Sequence, residues 1–480
     1  MLGCLVGVLL YRHRWPRPSL PPGPNPIPLL GNLRFPIERL DNFTDWAGTY
    51  GPVMTFRVLG KTVIVVNTQA AAFELFEKRS TGTSGRPFLV MAHELVGHGD
   101  SPSQTSDPAR HKLYRRLFTS ALSPRAVQGY WGLQIREMRK ATLDMLAAPS
   151  SSSTALRRFV HFERNSEMAD TCLLIAYGYN VEQDEDGLVD KIDEFMYILN
   201  ILLRPGEWIT DAEPLVKYLP EWFPGAGFKR LAYRWNSYLK EIREVPFERV
   251  KRDVVAGRAK PSFCSSLLEE QSLHPHDVGY SEDLILRSAG GIYSAASDTT
   301  SSALRSLLAG LVLFPEVQEK AQAELDRVIG RDRAPGIEDR DILPYCAAIV
   351  PELLRWQPPT PFALPHVLAQ DEEFQGHVLP KNATILGNVW AMSRDPSIYP
   401  MPDQFRPERY LAVDEKELHM PDMGRTVPVT FGFGRRVCPG SYLAEATLFG
   451  AIVSILWTCT VSRPLQSEYI NIEYRTTGVQ

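Results

Sequence analysis

Two short runs of β-branched residues stand near the start of the chain. Val53-Met54-Thr55-Phe56-Arg57-Val58 and Thr62-Val63-Ile64-Val65-Val66 are separated by Leu59-Gly60-Lys61 and predict a β-hairpin. Beyond them the pattern is mostly helical. Leu284 to Leu313 reads as a long apolar-rich helix that ends near Pro315. Pro315 to Ile329 follows as an amphipathic helix with Gly330 as its stop. Strand signals return weakly from His377 to Leu386, and Ser441 to Trp457 predicts a further apolar helix. Between them, Leu219 to Phe228 holds two prolines, two glycines and three large aromatics, and predicts irregular structure. Trp222 and Phe223 there fit either an exposed membrane contact or core packing. Helix dominates and small sheets sit at the edges, which fits one mixed domain larger than usual.

Composition narrows the class. The 480 residues carry a formal net charge of -4, which argues against general nucleic-acid binding. Six cysteines, Cys4, Cys172, Cys264, Cys346, Cys438 and Cys459, are scattered without a C-x-x-C pair, so reduced thiols facing the cytosol are expected. Residues 1–11 are apolar but shorter than the roughly 20 residues that span a bilayer. Arg12, Arg14 and Arg17 follow, an order that holds the rest of the chain in the cytoplasm. Residues 1–19 thus predict a short anchor remnant with a basic stretch, and residues 20–28 a stiff proline hinge.

The chemistry concentrates at Phe431-Gly432-Phe433-Gly434-Arg435-Arg436-Val437-Cys438-Pro439-Gly440. Glycines let a backbone approach a flat ligand closely, and arginines favour a thiolate or hold an anion. A lone Cys does not make a zinc or iron–sulfur site, but it can be the single axial ligand of a haem. A buried Cys acting as a small hydrophobe is the plainer alternative. Ala295-Ala296-Ser297-Asp298-Thr299-Thr300 places an acid and hydroxyls inside the long apolar helix, where they must find partners. A helix kink or solvated turn would account for them too. Glu352 and Arg355 lie three apart, on one helix face. Pro358 to His366 is held extended by its prolines.

Phe431, Gly434, Arg436, Cys438 and Gly440 fill the pattern Phe-x-x-Gly-x-Arg-x-Cys-x-Gly, which resembles the haem-binding loop of the cytochrome P450 family. The likeness runs along most of the chain. It implies the mainly α cytochrome P450 fold with small β-sheets, as a single catalytic domain over residues 20–480. It also implies haem b with Cys438 as the axial metal ligand, and propionates held by Arg436, Arg115 and His366. Asp298 and Thr299 would relay protons to bound O2. Glu352, Arg355 and Arg409, the last from Phe405-Arg406-Pro407-Glu408-Arg409, would brace the haem loop. Ile292, Ala295, Phe362, Ala363 and Leu364 would line the substrate pocket. The implied activity inserts one oxygen atom into an apolar small molecule. NADPH-cytochrome P450 reductase would supply electrons, with cytochrome b5 as a further donor, at the endoplasmic reticulum membrane and facing the cytosol. The segment Gly387 to Pro396 is most similar to fungal secondary-metabolism members, such as those of terpenoid or polyketide pathways. Desaturation or rearrangement, or a haem protein with impaired turnover, are the other readings.

Three places depart from the resemblance. His111 stands where the family has Trp in Trp-x-x-x-Arg. Residues 98–110 are polar and rich in Ser and Pro, which predicts a flexible loop in place of an apolar pocket wall. Residues 468–480 read as a last hairpin without its return strand.

Overall fold

The computed structural model describes residues 20–27, 31–32, 40–58, 60–147, 167–179, 187–204, 206–274, 279–411 and 428–462. The predicted anchor over 1–19 and the last hairpin over 468–480 lie outside them. Helices form most of the rest: α1 Leu40–Tyr50, α2 Pro108–Leu122, α3 Trp131–Ala147, α4 Glu167–Tyr177, α5 Leu188–Leu202 and α6 Phe228–Val255 come first. α7 Phe263–Leu273, α8 Glu282–Leu313, α9 Pro315–Val328, α10 Pro344–Trp356 and α11 Ser441–Thr458 are the remaining long helices among the described residues.

The predicted hairpin is present as β1 (Val53–Val58) and β2 (Lys61–Val66), paired antiparallel with Val53 opposite Val66. Its tip turns at Gly60, whose φ is +80°. The segment after His366 supplies β3 (His366–Val367), β4 (Glu372–Phe374), β5 (His377–Leu379) and β6 (Thr384–Gly387). One sheet has the order β1-β2-β6-β3, with β6 parallel to β2, and β4 pairs with β5 alone. The sheet's edge is used by the proline hinge: Thr55 N–H donates to the Pro22 carbonyl at 2.9 Å.

Helix boundaries follow local chemistry. Ser281 caps α8 by accepting from Leu284 N–H, and Asp107 caps α2 ahead of Pro108. Gly330, at φ +72°, follows α9. The main core lies among the helices, with α11 packed along α3 and against α10. α11 is apolar and 18 residues long, the length of a membrane span, yet 72% of it is buried inside the protein. It is a core helix by that measure, and it places the end of the Cys438 loop against the centre of the molecule.

Residues 98–107 correct the expectation of a flexible loop. His98, Ser101, Gln104 and Thr105 are buried. The turn closes through Ser101, whose carbonyl accepts from the N–H groups of Gln104 and Thr105 at 3.1 and 3.0 Å. Polar composition misleads here because the polar groups are bonded to other buried ones rather than to water. Trp222 and Phe223 are exposed, at 80% and 43%, so core packing is excluded for them.

Candidate functional site

A cavity of about 370 Å³ runs from the Cys438 loop along α8. Its volume is in the range of small-molecule sites. Phe431, Arg436, Cys438 and Gly440 line it, as do Ile292, Ala295, Thr299, Ala363, Leu364, His366 and Arg115. Three expected members do not: Gly434, Phe362 and Asp298. Phe362 turns the other way and packs edge-on to Phe43 of α1, with ring centroids 4.7 Å apart, in a separate apolar cluster. Asp298 is off the cavity-lining stripe of α8. Its carboxyl accepts from Asn200 and lies near Arg305, and burial raises its pKa against both influences. Thr299 does face the cavity, and its Oγ1 donates to the Ala295 carbonyl at 2.8 Å.

The Cys438 loop is shaped by close backbone approaches. Gly434 has φ +52°, and an added Cβ would meet the Phe76 carbonyl oxygen at 2.1 Å. The position therefore requires glycine. Its role is packing under Phe76, not lining the cavity. Phe76 in turn stacks on Phe433 at 5.2 Å and meets the His366 ring at a tilt, 4.8 Å between centroids. Cys438 N–H donates to the Phe431 carbonyl at 2.7 Å and closes the loop. Burial raises the Cys438 thiol, while the Gly440 N–H and the Arg115 charge pull it back.

Beside this loop the cavity is cationic. Arg436 donates from Nε to the Ser84 carbonyl at 2.9 Å, and from Nη2 to the Thr105 carbonyl at 2.5 Å. Arg115 donates to the Val437 carbonyl at 2.6 Å. Arg86, unmarked in the sequence, donates to the carbonyls of Ser103, Leu364 and Pro365 at 2.7–2.9 Å. Burial, then the charge of Arg436, pulls Arg86 down to about 9. His111 joins them, pulled to about 4 by burial and by Arg436, Arg115, Arg86 and Arg435. His366 bonds the Thr83 carbonyl through Nδ1 at 2.7 Å. Among the described residues, no Asp or Glu lines the cavity.

These residues fit haem. Among the described residues, three arginines converge without a carboxylate, and Nη1 of Arg436 is buried with no hydrogen-bond partner. Such a cluster is costly unless an anionic ligand completes it. Haem carries two propionates that these arginines would hold, and Gly432 leaves bare backbone at the cavity wall. The sequence carried no signal for Arg86, because a single arginine far from the Cys438 loop is indistinguishable from a surface cation. His111 was visible only as an exchange against the resembled pattern.

Glu352, Arg355 and Arg409 come together as expected. Glu352 is 0% exposed and accepts from Arg355 Nε at 2.7 Å and Nη2 at 2.8 Å, from Arg406 N–H at 2.6 Å, and from Arg409 Nε at 3.4 Å. Arg355 also donates to the carbonyls of Ser393, Pro402 and Gln404 at 2.8–3.0 Å. The bonds run to residues 393–409 rather than to the Cys438 loop, so any bracing of that loop is indirect.

Comparison with known proteins agrees with this geometry. The sequence pattern described as Cytochrome P450 matches residues 21–479. Cytochrome P450 monooxygenase 105 of Postia placenta is 35% identical over 463 residues, covering 96% of this chain and 86% of its own. Cytochrome P450 monooxygenase 45 of the same fungus is 36% identical, with 95% and 85% covered. Cytochrome P450 monooxygenase claR of Ampulloclitocybe clavipes is 35% identical, with 98% and 86% covered. The chain belongs to the cytochrome P450 family of haem-thiolate monooxygenases, whose members require O2, a small-molecule substrate and a redox partner.

Proposed function

We propose that residues 20–480 form one haem domain in which Cys438 is the axial ligand and Arg86, Arg115, His111, His366 and Arg436 hold the propionates. The observation that carries this is the cavity with Cys438 beside three converging arginines and, among the described residues, no acid. When bound, the haem supplies O2 activation, and the thiolate's electron donation favours O–O cleavage. The chain's own residues shape the rest. Ile292, Ala295, Ala363 and Leu364 present an apolar wall to the substrate. Thr299 holds a hydroxyl at that wall, anchored to the Ala295 carbonyl, where it passes protons inward. Asp298 acts from behind the stripe, through Asn200 and Arg305.

NADPH-cytochrome P450 reductase, with cytochrome b5 as a further donor, is the proposed electron source. Placement at the endoplasmic reticulum, facing the cytosol, is supported by the exposed aromatic segment around Trp222. A role in secondary metabolism rests on the sequence style of Gly387 to Pro396. The packed, fully bonded turn at 98–107 removes one reason to read the protein as impaired.

The test is the spectrum of the expressed, reduced protein under carbon monoxide. A strongly red-shifted Soret band is expected, and its loss in Cys438→Ser. An ordinary haem spectrum in the parent overturns the ligand assignment.

A further inference from the structure

The cavity has a second cationic end. Among the described residues five arginines line it, of which Arg86, Arg115 and Arg436 belong with Cys438. Arg243 of α6 and Arg287 of α8 form a separate pair: His98 is lowered by burial and then by Arg243, His93 and Arg287, whereas His111 answers to the arginines at the Cys438 end. Arg243 gives its one hydrogen bond among the described residues, from Nη2 to His98 Nδ1 at 2.9 Å. Burial and the neighbouring charge of Arg287 pull Arg243 down to about 10. Arg287 donates from Nε to Asp283 at 2.7 Å, but Asp283 is shared with Arg110. Nη1 of Arg287 is buried and has no hydrogen-bond partner among the described residues.

Local packing brings the pair onto the cavity. At Gly290 of α8, an added Cβ would stand 3.6 Å from Arg243 Cγ and 3.8 Å from the Tyr177 hydroxyl, so the arginine stem lies close against the helix. Two like charges beside an apolar cavity, one with an unpaired N–H, are costly in the free protein. An anion entering between them removes that cost, and the planar guanidinium fork matches a carboxylate.

We propose that Arg243 and Arg287 anchor a carboxylate of the substrate, which is therefore an apolar molecule carrying one acid group. The proposal rests on the monooxygenase reading of the Cys438 end. It also orients the substrate. Arg287, Gly291, Ala295 and Thr299 recur every fourth residue and all line the cavity. Twelve residues of helix rise about 18 Å. An acid held at Arg287 presents its far, apolar end to Cys438, and the carbons next to the carboxylate stay out of reach.

Calorimetric titration of the haem-loaded full chain at about pH 8 tests this, since carboxylic acids are then ionised and arginine is still charged. The probes are dodecanoic acid and abietic acid, each against its methyl ester. At least one acid is expected to bind about tenfold or more tighter than its ester. Arg243→Gln and Arg287→Gln, in protein whose carbon monoxide spectrum matches the parent, should abolish that preference. Equal binding of acid and ester to the parent, in both pairs, overturns the proposal without needing any variant. So does a preference that survives both substitutions. A parent lacking the red-shifted Soret band instead overturns the Cys438 assignment, so the two failures are told apart.

Discussion

Gly434 and Gly440 flank the same thiol, yet they tolerate change differently. At Gly434 a Cβ would lie 2.1 Å from a backbone oxygen, and the residue sits at φ +52°. At Gly440 φ is -93° and the nearest neighbour is Cys438 Sγ at 3.9 Å. Gly434→Ala is expected to cost about 1–3 kcal/mol from backbone conformation alone, before the clash. Gly440→Ala should be near neutral. Thermal unfolding followed at the haem band separates them. Equal loss in both would show that the loop's backbone is not what fixes the thiol. Glu352 gives a second contrast. Removing it leaves Arg355 buried and uncompensated, and Glu352→Ala should cost about 3–5 kcal/mol. Arg409→Ala should cost less, because its contact is 3.4 Å and Arg355 keeps its two bonds to Glu352. Denaturant midpoints in the haem-loaded protein measure both.

At the scale of elements, α8 explains what the sequence could and could not tell. The Ala-Ala-Ser-Asp-Thr-Thr stretch marks a functional helix, because small and polar residues break an apolar run. It does not say which side chains face the cavity. Helical rotation puts Ala295, Ala296, Thr299, Thr300 and Ala303 on one stripe and leaves Asp298 outside it. Phe362 was misplaced for a similar reason: its direction depends on α1, far away in sequence. Arg86, Arg243 and Arg287 come from three distant segments and meet the cavity only after folding. Thr299→Ala should divert electrons to peroxide, read as the ratio of peroxide formed to NADPH consumed. Asp298→Asn separates charge from shape. Burial raises its pKa above the ordinary 3.8, so its folded-state cost is absent below that value and grows as pH rises through the raised pKa. The variant should therefore match the parent in acid and exceed it in stability toward about pH 8. Unfolding midpoints across that span check the sign, and a parent that gains on the variant as pH rises would reverse it.

At the scale of the whole molecule, the helical core and the hairpin were legible because period and β-branching report local choice. The exposure of Trp222 and Phe223 was not, since one aromatic loop fits burial or exposure equally well until its surroundings are known. Within Ile209 to Phe223, the large apolar side chains Ile209, Leu215, Tyr218, Trp222 and Phe223 are all exposed. Clustered exposure of this kind marks an interaction surface. α11, apolar enough to enter a membrane, is committed to the core and offers no alternative contact. The patch should then bind lipid even without residues 1–19. A chain starting at Leu20 is expected to sediment with phosphatidylcholine vesicles, and Trp222→Ser with Phe223→Ser to release it several-fold. The carbon monoxide spectrum should be unchanged, because neither residue lines the cavity. If the shortened chain stays in solution with both aromatics intact, the 209–223 segment is not a membrane contact, and attachment falls to the first 19 residues.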